Sequence, residues 1–435
     1  MIILNEGQNI VVDDIVDFFY APGEYFYTLN APAGTGKTTC IQTAMNRIQE
    51  SSATPIRVCL TAPTNKATKV LRSMASENEV QADCKTIYSL LGLVLNSSNE
   101  IRHAAKMVDG AFSDFDVVVV DEGSMVSSGL FDELERATAT NKTKVIIMGD
   151  NSQLPPVKET VSKVFTKDFR KGTLTKVMRQ VEGNPILSLA NHIRDCQSDP
   201  RKAVEYQTEV NPDTDQGIYL LPVADWTATV KENFVSDEYR NDPDSFRCLA
   251  YTNKRVDALN RMIRNLLVGQ TDSPFIVDER VLVKRPIVDI GTDEKVHTDE
   301  ECVVVDVIEA YHPLYANTST QFKVWEMRLL ADSGVFVDAF VLHKDSIKDY
   351  ESTLNALSKA ANENGSQWRN FWGFKDSFAD LQSPHAMTVH RSQGSTYKNV
   401  FVDLRDIYKN RTKLERLQLE YVACSRASET LVLMR

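Results

Sequence analysis

Paired cysteines are absent from this sequence. Its seven cysteines are scattered along 435 residues, and no two of them form a CxxC pair. This spacing argues against a disulfide framework and against a structural zinc site, since both need grouped cysteines. We therefore expect reduced thiols, as in a cytoplasmic protein.

Long apolar runs and repeats are also absent. No segment is long enough to span a bilayer, and the first residues lack the pattern of a signal peptide. Hydrophobic residues make up 42% of the chain and charged residues 25%, which is ordinary for a globular protein. We predict no membrane partner and a cytoplasmic location, and the length predicts two to four domains.

An excess of basic residues is missing as well. Asp and Glu number 60 against 49 Lys and Arg, so the formal net charge is −11. This balance argues against a broad basic surface that coats duplex DNA. It leaves room for a narrow basic channel, because binding depends on local potential. Short basic clusters such as Lys66, Lys69 and Arg72 are by themselves typical of a solvated surface.

The segment Ala31–Thr38 matches a P-loop, except that its first residue is alanine instead of glycine. It follows the strand-like run Tyr25–Asn30 and precedes a helix-like run, which is the context that a P-loop requires. There Lys37 can reach the β- and γ-phosphates of a nucleotide, and the Thr38 hydroxyl can hold Mg²⁺. The sequence therefore predicts a site for a nucleoside triphosphate.

Short apolar runs alternate with helical patterns in the first part of the chain, which predicts a doubly wound α/β domain with a parallel sheet. The predicted strands are Tyr25–Asn30, Arg57–Ala62, Asp116–Val120 and Lys144–Met148. The predicted helices are Lys37–Glu50, Asn65–Met74 and Ser127–Ala137. Each polar motif falls after the carboxyl end of a strand, where open α/β sheets bind ligands.

Two acidic residues follow the third of these strands, as in a Walker B motif. Asp121 is suited to hold Mg²⁺, and Glu122 is suited to act as the general base for the attacking water. Gly149–Val157 follows the next strand, where the amide of Gln153 could orient that water. The alternatives are a helix cap for the acidic pair and a surface turn for the second segment.

Three further motifs lie outside this first domain. Arg179 and Arg426 are candidates for arginines that stabilise transition-state charge across a cleft, although a lone arginine is more often a surface residue. His385–Thr396 combines hydroxyls, imidazoles and an amide near a glycine turn, which suits phosphate or ribose contacts. A metal site at His385 and His390 is disfavoured, since no carboxylate pair or cysteine accompanies them.

The rest of the chain predicts three more parts. Residues near Thr86–Phe115 predict a hairpin insertion with Ser97-Ser98-Asn99 at its tip. A second α/β set begins near Gly172 and resumes after residue 383. Phe275–His343 predicts a small β-barrel, and Asp345–Ala379 predicts helices. In the latter, Trp368, Phe371 and Trp372 have the spacing of a packing stripe, and a base-stacking site is the less frequent alternative.

Taken in this order, the motifs resemble those of the superfamily 1B helicases, and most closely the RecD-like group that includes the phage Dda-type enzymes. The motifs that carry the resemblance run through almost the whole chain: Asn5–Gln8, Ala31–Thr38, Ala62–Ala67, Asp121–Met125, Gly149–Val157, Val177–Gln180, Ala250–Asn253, Thr388–Thr396 and Tyr421–Ala427.

The resemblance implies two RecA-like motor domains with parallel sheets, a pin insertion, and an SH3-like barrel with a helical extension. The implied boundaries are 1–85 with 114–172 for domain 1A, 86–113 for the pin, 173–274 with 383–435 for domain 2A, and 275–382 for domain 2B. It implies ATP and Mg²⁺ as cofactors, and single-stranded and forked DNA as partners. It also implies a monomer, with replication or single-strand-binding proteins as candidate partners, in the cytoplasm of an infected bacterium if the gene is a phage gene.

The resemblance also implies roles for individual residues. The catalytic set is Lys37, Glu122, Gln153, Arg179 and Arg426, with Thr38 and Asp121 as metal ligands. The nucleotide-binding set is Gln8, Ala33, Gly34, Thr35, Gly36, Lys37, Thr38, Thr39 and Gln393, in which Gln8 reads the adenine. The DNA-binding set is Pro63, Thr64, Asn65, Thr86, Tyr88, Thr252, Asn253, Thr388 and His390.

Three features depart from the pattern of the group, and the first is Ala31 at the start of the P-loop, a change that related helicases also show. Tyr88 stands where histidine is frequent, and a tyrosine can stack a base instead. The predicted pin tip carries no aromatic residue. The expected activity is ATP-driven unwinding of DNA with 5′ to 3′ movement, and the polarity comes from the resemblance alone. The alternatives are an RNA helicase of superfamily 1, and an ATP-gated module that binds single strands or displaces proteins without unwinding.

Overall fold

A computed structural model describes residues 4–32, 34–78, 80–95, 101–103, 111–156, 159–176, 184–199, 201–290, 292, 295–315 and 320–435. The predicted site residues Ala33 and Arg179, the end of the Gly149–Val157 motif and the predicted pin tip lie outside these residues. Within them, no helix is long and apolar enough to cross a membrane.

Helices and strands follow each other along most of the chain. The α-helices are α1 (Glu6–Tyr20), α2 (Lys37–Ser51), α3 (Asn65–Glu77), α4 (Ile87–Leu90), α5 (Ser128–Asn141), α6 (Pro185–Ser198), α7 (Val223–Phe234), α8 (Asp237–Asn241), α9 (Asn253–Leu267), α10 (Ile347–Glu363), α11 (Trp368–Asp376), α12 (Leu404–Ile407) and α13 (Lys413–Cys424). Short 3₁₀ turns cover Phe112–Asp114, Gly123–Met125, Lys163–Phe165, Pro313–Tyr315, Lys344–Ser346, Gly365–Gln367 and His390–Ser392.

The strands are β1 (Phe26–Asn30), β2 (Val58–Ala62), β3 (Ala82–Thr86), β4 (Leu93–Leu95), β5 (Ile101–His103), β6 (Val117–Val120), β7 (Lys144–Gly149), β8 (Arg170–Thr173), β9 (Glu209–Val210), β10 (Gly217–Leu221), β11 (Phe246–Ala250), β12 (Arg280–Val283), β13 (Ile287–Val288), β14 (Lys295–Val296), β15 (Glu301–Tyr311), β16 (Lys323–Ala331), β17 (Phe336–Leu342), β18 (Leu381–Gln382), β19 (Ala386–Thr388), β20 (Tyr397–Asp403) and β21 (Ala427–Met434).

The first sheet is parallel, with the order β3-β2-β6-β7-β1-β8. Its central strands are buried, as the unbroken valines of β6 predict. Helices such as α2 cover the sheet through apolar faces, and Ile41, Met45 and Ile48 are buried there. Because β6, β7 and β1 are neighbours, the loops that follow them meet at one edge of the sheet.

The second sheet has the order β19-β11-β20-β21-β10-β9. Its pairs β11–β20, β20–β21 and β21–β10 are parallel, and β9 adds an antiparallel edge. Helices α6 and α13 share a buried core with this sheet. The predicted α/β fold with two parallel sheets is therefore confirmed.

The chain divides into two compact units, 1–256 with 387–435, and 257–386. Both parallel sheets lie mainly in the first unit. The second unit contains the antiparallel sheet β17-β16-β15-β12-β18. Helices α10 and α11 lie between β17 and β18 along the chain. Its strands agree with the predicted β-rich region, whereas closure into an SH3-like barrel stays a prediction.

The predicted hairpin insertion is present, since β4 and β5 pair as antiparallel strands. The predicted aromatic stripe is wrong in part. Trp368 is 36% exposed, and it contacts Phe371 and Trp372 on a half-exposed surface. The buried aromatic core of this region instead contains Phe374 and Phe378.

Candidate functional site: an ATP site and two strand-end clusters

The P-loop joins β1 to α2 and places Lys37 at the first residue of the helix. Gly34 and Gly36 both adopt positive φ angles, of 79° and 78°, which L-residues with side chains rarely adopt. The loop therefore turns its backbone toward the start of α2, where free N–H groups favour an anion. Thr35 is fully buried, and Thr38 and Thr39 are half-buried in the first turn of α2.

Gln8 lies against this loop. Its amide nitrogen donates to the Thr35 carbonyl at 3.0 Å, and its amide oxygen accepts from the Asn5 backbone N–H at 2.9 Å. The second contact is half of a capping box that begins α1. A glutamine amide has a further donor and a further acceptor site, so one edge of Gln8 remains for a ligand. The structure thus holds Gln8 beside the P-loop, and its contact with the adenine stays a prediction.

Lys37 and the acidic pair after β6 form the centre of the site. The Lys37 Nζ lies 3.5 Å from Asp121 Oδ1 and 3.9 Å from Glu122 Oε1. Burial lowers the pKa of Lys37, but Asp121, Glu122 and Asp150 outweigh it and hold that pKa above its ordinary value. Lys37 is therefore a permanent cation where a polyphosphate would lie.

Glu122 is held in a strained backbone conformation. Its φ is 52°, in the left-handed region that non-glycine residues seldom adopt, and its N–H donates to Asp121 Oδ1 at 2.7 Å. Its Oε2 is buried without a hydrogen-bond partner, and so is Oε1 of Gln153. Buried polar atoms are nearly always hydrogen-bonded, so these two acceptors fit a site that is completed by a polar ligand.

Arg426 comes from the segment after α13, on the second sheet. It is 4% exposed, and it donates to the Val422 and Ser395 carbonyls at 3.1 and 3.0 Å. Ser395, whose carbonyl accepts from Arg426, follows Gly394, and a Cβ at Gly394 would lie 3.6 Å from Glu122 Oε1. The structure therefore brings Arg426 near the P-loop. Gln393 also approaches the first sheet, since its amide donates to the Leu154 carbonyl at 3.3 Å.

The predicted DNA-binding residues fall into two clusters at strand ends. In the first, β2 and β3 are neighbours in register, with Ala62 opposite Thr86, so the segments that follow them lie together. Thr64 caps α3 and Thr86 caps α4 through their hydroxyls. Tyr88 packs half-buried against the core of the first sheet.

The second cluster follows β11 and β19, which are neighbours in the second sheet. The Thr388 hydroxyl accepts from the Arg391 N–H at 3.3 Å, and the rings of His390 and Tyr251 lie 6.3 Å apart. Burial lowers the pKa of His390, which keeps the imidazole neutral. Helix starts and caps of this kind offer N–H groups and hydroxyls to phosphates.

Asp406 is a residue of this cluster that the sequence analysis missed. Its carboxylate accepts from the backbone N–H groups of Tyr251 and Thr252, and from the Thr252 hydroxyl, at 2.7–3.0 Å. It thereby fixes the segment that carries Thr252 and Asn253. No motif marks Asp406, because it lies more than 150 residues away along the chain.

The nucleotide-binding chemistry at these strand ends agrees with the comparisons with known proteins. A family model described as an AAA domain matches residues 3–210, and one described as a UvrD-like helicase C-terminal domain matches residues 384–434. The chain is 28% identical over 459 residues to the ATP-dependent DNA helicase Dda of Enterobacteria phage T4, covering 97% of each chain.

A second relative is the RecBCD enzyme subunit RecD of Buchnera aphidicola, 31% identical over 136 residues that cover 28% of this chain and 22% of that one. Among solved structures, a Pif1 helicase from Bacteroides, in complex with ADP-AlF3 and single-stranded DNA, shares the fold. Its TM-score is 0.53 at 17% identity, with 100% of this chain and 92% of that chain covered. This chain is a superfamily 1B helicase related to Dda and RecD.

The helicase is accordingly an ATP-hydrolysing enzyme. Within the residues that the structure describes, no group of three or more His, Cys, Asp or Glu side chains is placed to hold a metal ion. A P-loop needs only one carboxylate and one hydroxyl for Mg²⁺, because the nucleotide supplies the other ligands. In the helicase, Asp121 and Thr38 follow β6 and β1 at the same edge and fit that requirement.

Proposed function

We propose that this helicase uses ATP hydrolysis to move 5′ to 3′ along single-stranded DNA and to unwind duplex DNA. The observation that carries the proposal is the cluster of Lys37, Asp121 and Glu122, to which the second sheet brings Arg426 through the Gly394–Ser395 segment. A similarity to Dda along nearly the whole chain supports DNA as the substrate. The polarity is taken from the helicase group.

Each residue of the ATP site has a defined task in this proposal. Lys37 binds the phosphates, Glu122 accepts the proton of the attacking water, and Gln153 orients that water. Thr38 and Asp121 hold Mg²⁺, which neutralises phosphate charge when bound. Arg426 stabilises the charge of the transition state. Arg179, for which we propose the same task, lies outside the described residues.

We further propose that the first sheet with its helices is motor domain 1A and the second sheet is motor domain 2A, with the boundaries predicted from the sequence. The two strand-end clusters, one on each sheet, then bind successive parts of one DNA strand. Alternate binding by the two domains, driven by closing and opening of the ATP site, moves the strand. The β4–β5 hairpin is the proposed pin, and single-stranded and forked DNA are the proposed ligands.

Strand displacement on tailed duplexes tests this function. We expect ATP-dependent unwinding of a DNA duplex with a 5′ tail and none with a 3′ tail. The matched control is Lys37→Ala, which should fold but neither hydrolyse ATP nor unwind. Unwinding only from a 3′ tail, or only of RNA duplexes, would contradict the proposal. DNA-stimulated hydrolysis without unwinding would indicate a module that binds single strands or displaces proteins.

A further inference from the structure

The loop that carries Gln153 starts on the first sheet but packs into the core of the second. Asp150–Leu154 follows β7. Leu154 is only 1% exposed, and it belongs to the same buried cluster as Ile186 of α6 and Val422 of α13. A fully buried leucine stabilises the elements that it packs against, and truncating it would leave a cavity. The tip of this loop is therefore anchored on elements of the second sheet.

Three hydrogen bonds strengthen the anchor. The Tyr421 hydroxyl, on α13, donates to Asp150 Oδ2 at 2.5 Å. Gln197 of α6 donates to the Ser152 carbonyl at 3.0 Å, and Gln393 donates to the Leu154 carbonyl. Each of the three donors comes from an element of the second sheet or the loops around it.

Asp150 also shapes the turn that presents Gln153. Its other carboxylate oxygen accepts from the Ser152 N–H at 2.9 Å, and its carbonyl accepts from the Gln153 N–H at 3.1 Å. Tyr421 thus binds the residue that fixes the conformation of this turn. Tyr421 lies in the last turn of α13, and Arg426 bonds back to the same turn through Val422.

We propose that Tyr421 is a positioning residue that ties the Gln153 loop to the end of α13, so that Gln153 and Arg426 are held as one unit. This rests on the proposed function, in which both side chains act on the γ-phosphate. A change at the phosphate would then be transmitted to the second sheet through the Asp150–Tyr421 hydrogen bond. Tyr421 then acts in hydrolysis without contacting the nucleotide.

Tyr421→Phe removes the hydroxyl and keeps the ring, so it tests the proposal directly. We expect kcat for ATP to fall about tenfold with KM changed less than twofold, because Gln153 is misplaced while nucleotide binding is retained. The matched control is Tyr206→Phe. Tyr206 donates to Glu420 at 2.7 Å, so the control loses a part-buried tyrosine–carboxylate bond to α13 that does not involve the loop. It should lower stability without lowering kcat.

A pH profile separates positioning from a general loss of stability. Asp150 is buried and faces Tyr421, Lys37 of α2 and Arg194 of α6; burial raises its pKa, and the Tyr421 hydroxyl opposes that rise. Tyr421→Phe should therefore move the acidic limb of kcat to higher pH. The acidic limb should not move when Tyr421→Phe is made in an Asp150→Asn background, because residue 150 then has no carboxyl group to titrate.

Hydrogen exchange tests the placement of the loop independently of activity. The amides of residues 151–154 should exchange faster in Tyr421→Phe than in the wild-type protein, and at the wild-type rate in Tyr206→Phe. Wild-type kcat and wild-type exchange in Tyr421→Phe would overturn the proposal. If the wild-type protein hydrolysed no ATP, the proposed function would fail, and the exchange rates would still decide whether Tyr421 holds the loop.

Discussion

Arg426 is held in place by the protein before any nucleotide binds. Its guanidinium donates to backbone carbonyls of Val422 and Ser395 and to the Ser425 hydroxyl. A planar fork with five donors can use some of them to fix its position and others to bind an anion. This arrangement suits a residue that acts in the transition state and contributes little to ground-state binding.

Replacing Arg426 by alanine should therefore lower kcat for ATP by about a thousandfold, the lower range for arginine fingers, while KM changes little. Steady-state hydrolysis with a separate measurement of nucleotide affinity checks this. Arg411→Ala, an exposed arginine ahead of α13, is the control and should leave both values unchanged. A large loss of ATP affinity with turnover intact would show that Arg426 only binds nucleotide.

His312 provides a pH test in the second unit. It is fully buried; Nε2 donates to the Ser377 carbonyl at 2.9 Å, and Nδ1 accepts from the Leu314 N–H at 3.3 Å. Burial lowers the pKa of His312 below its ordinary value of 6.5. As pH falls below that value, the unfolded chain binds the proton first, so the free energy of unfolding decreases.

We expect the stability of residues 257–386 to fall by up to about 2 kcal/mol between pH 7 and pH 5, because a group that titrates only in the unfolded chain contributes about 1.4 kcal/mol for each pH unit below its ordinary pKa of 6.5. Urea unfolding at several pH values, followed by hydrogen exchange in β15–β17, measures this. His312→Gln keeps a donor and an acceptor but does not titrate. The free energy of unfolding of this variant should therefore depend less on pH. An unchanged slope in that variant would assign the effect to other groups, such as His297.

At the scale of elements, the buried strands and the P-loop helix were predictable from sequence to within two residues. Strands β1, β2, β6 and β7 are short apolar runs, and α2 begins at Lys37 as expected. Edge strands were missed, because β3 and β8 carry polar residues that face solvent. The Asp150–Tyr421 contact was also unpredictable, since it joins residues 271 positions apart and depends on how the two sheets pack.

The start of α2 allows a matched test of the P-loop. Gly36 and Gly23 have nearly the same φ, 78° and 81°, but a Cβ at Gly36 would lie 2.5 Å from the Gln8 amide, whereas a Cβ at Gly23 would contact nothing. Both alanine variants should lose about 1 kcal/mol to backbone strain. Only Gly36→Ala should also bind a fluorescent ATP analogue more weakly, because Gln8 must leave the Thr35 carbonyl. Equal affinities would contradict a role for this contact.

At the scale of the whole molecule, the two compact units have separate buried cores. The first unit buries the faces of both parallel sheets, and the second buries its own apolar cluster around Val281, Met327 and Leu329. The ATP site lies in the first unit. A ligand stabilises only the cooperative unit that binds it, so nucleotide should act on the two units differently.

Hydrogen exchange with and without a non-hydrolysable ATP analogue and Mg²⁺ measures this difference. At a free ligand concentration of a hundred times Kd, the amides of β1, β6 and β7 should gain about 2.7 kcal/mol of protection. The amides of β15, β16 and β17 should gain none, because the described residues of the ATP site all lie in the other unit. Lys37→Ala is the control, and it should show no gain in either unit, since the ligand no longer binds. Equal gains of protection in both units of the wild-type protein would mean that the two units unfold together as one cooperative unit, which would contradict the prediction.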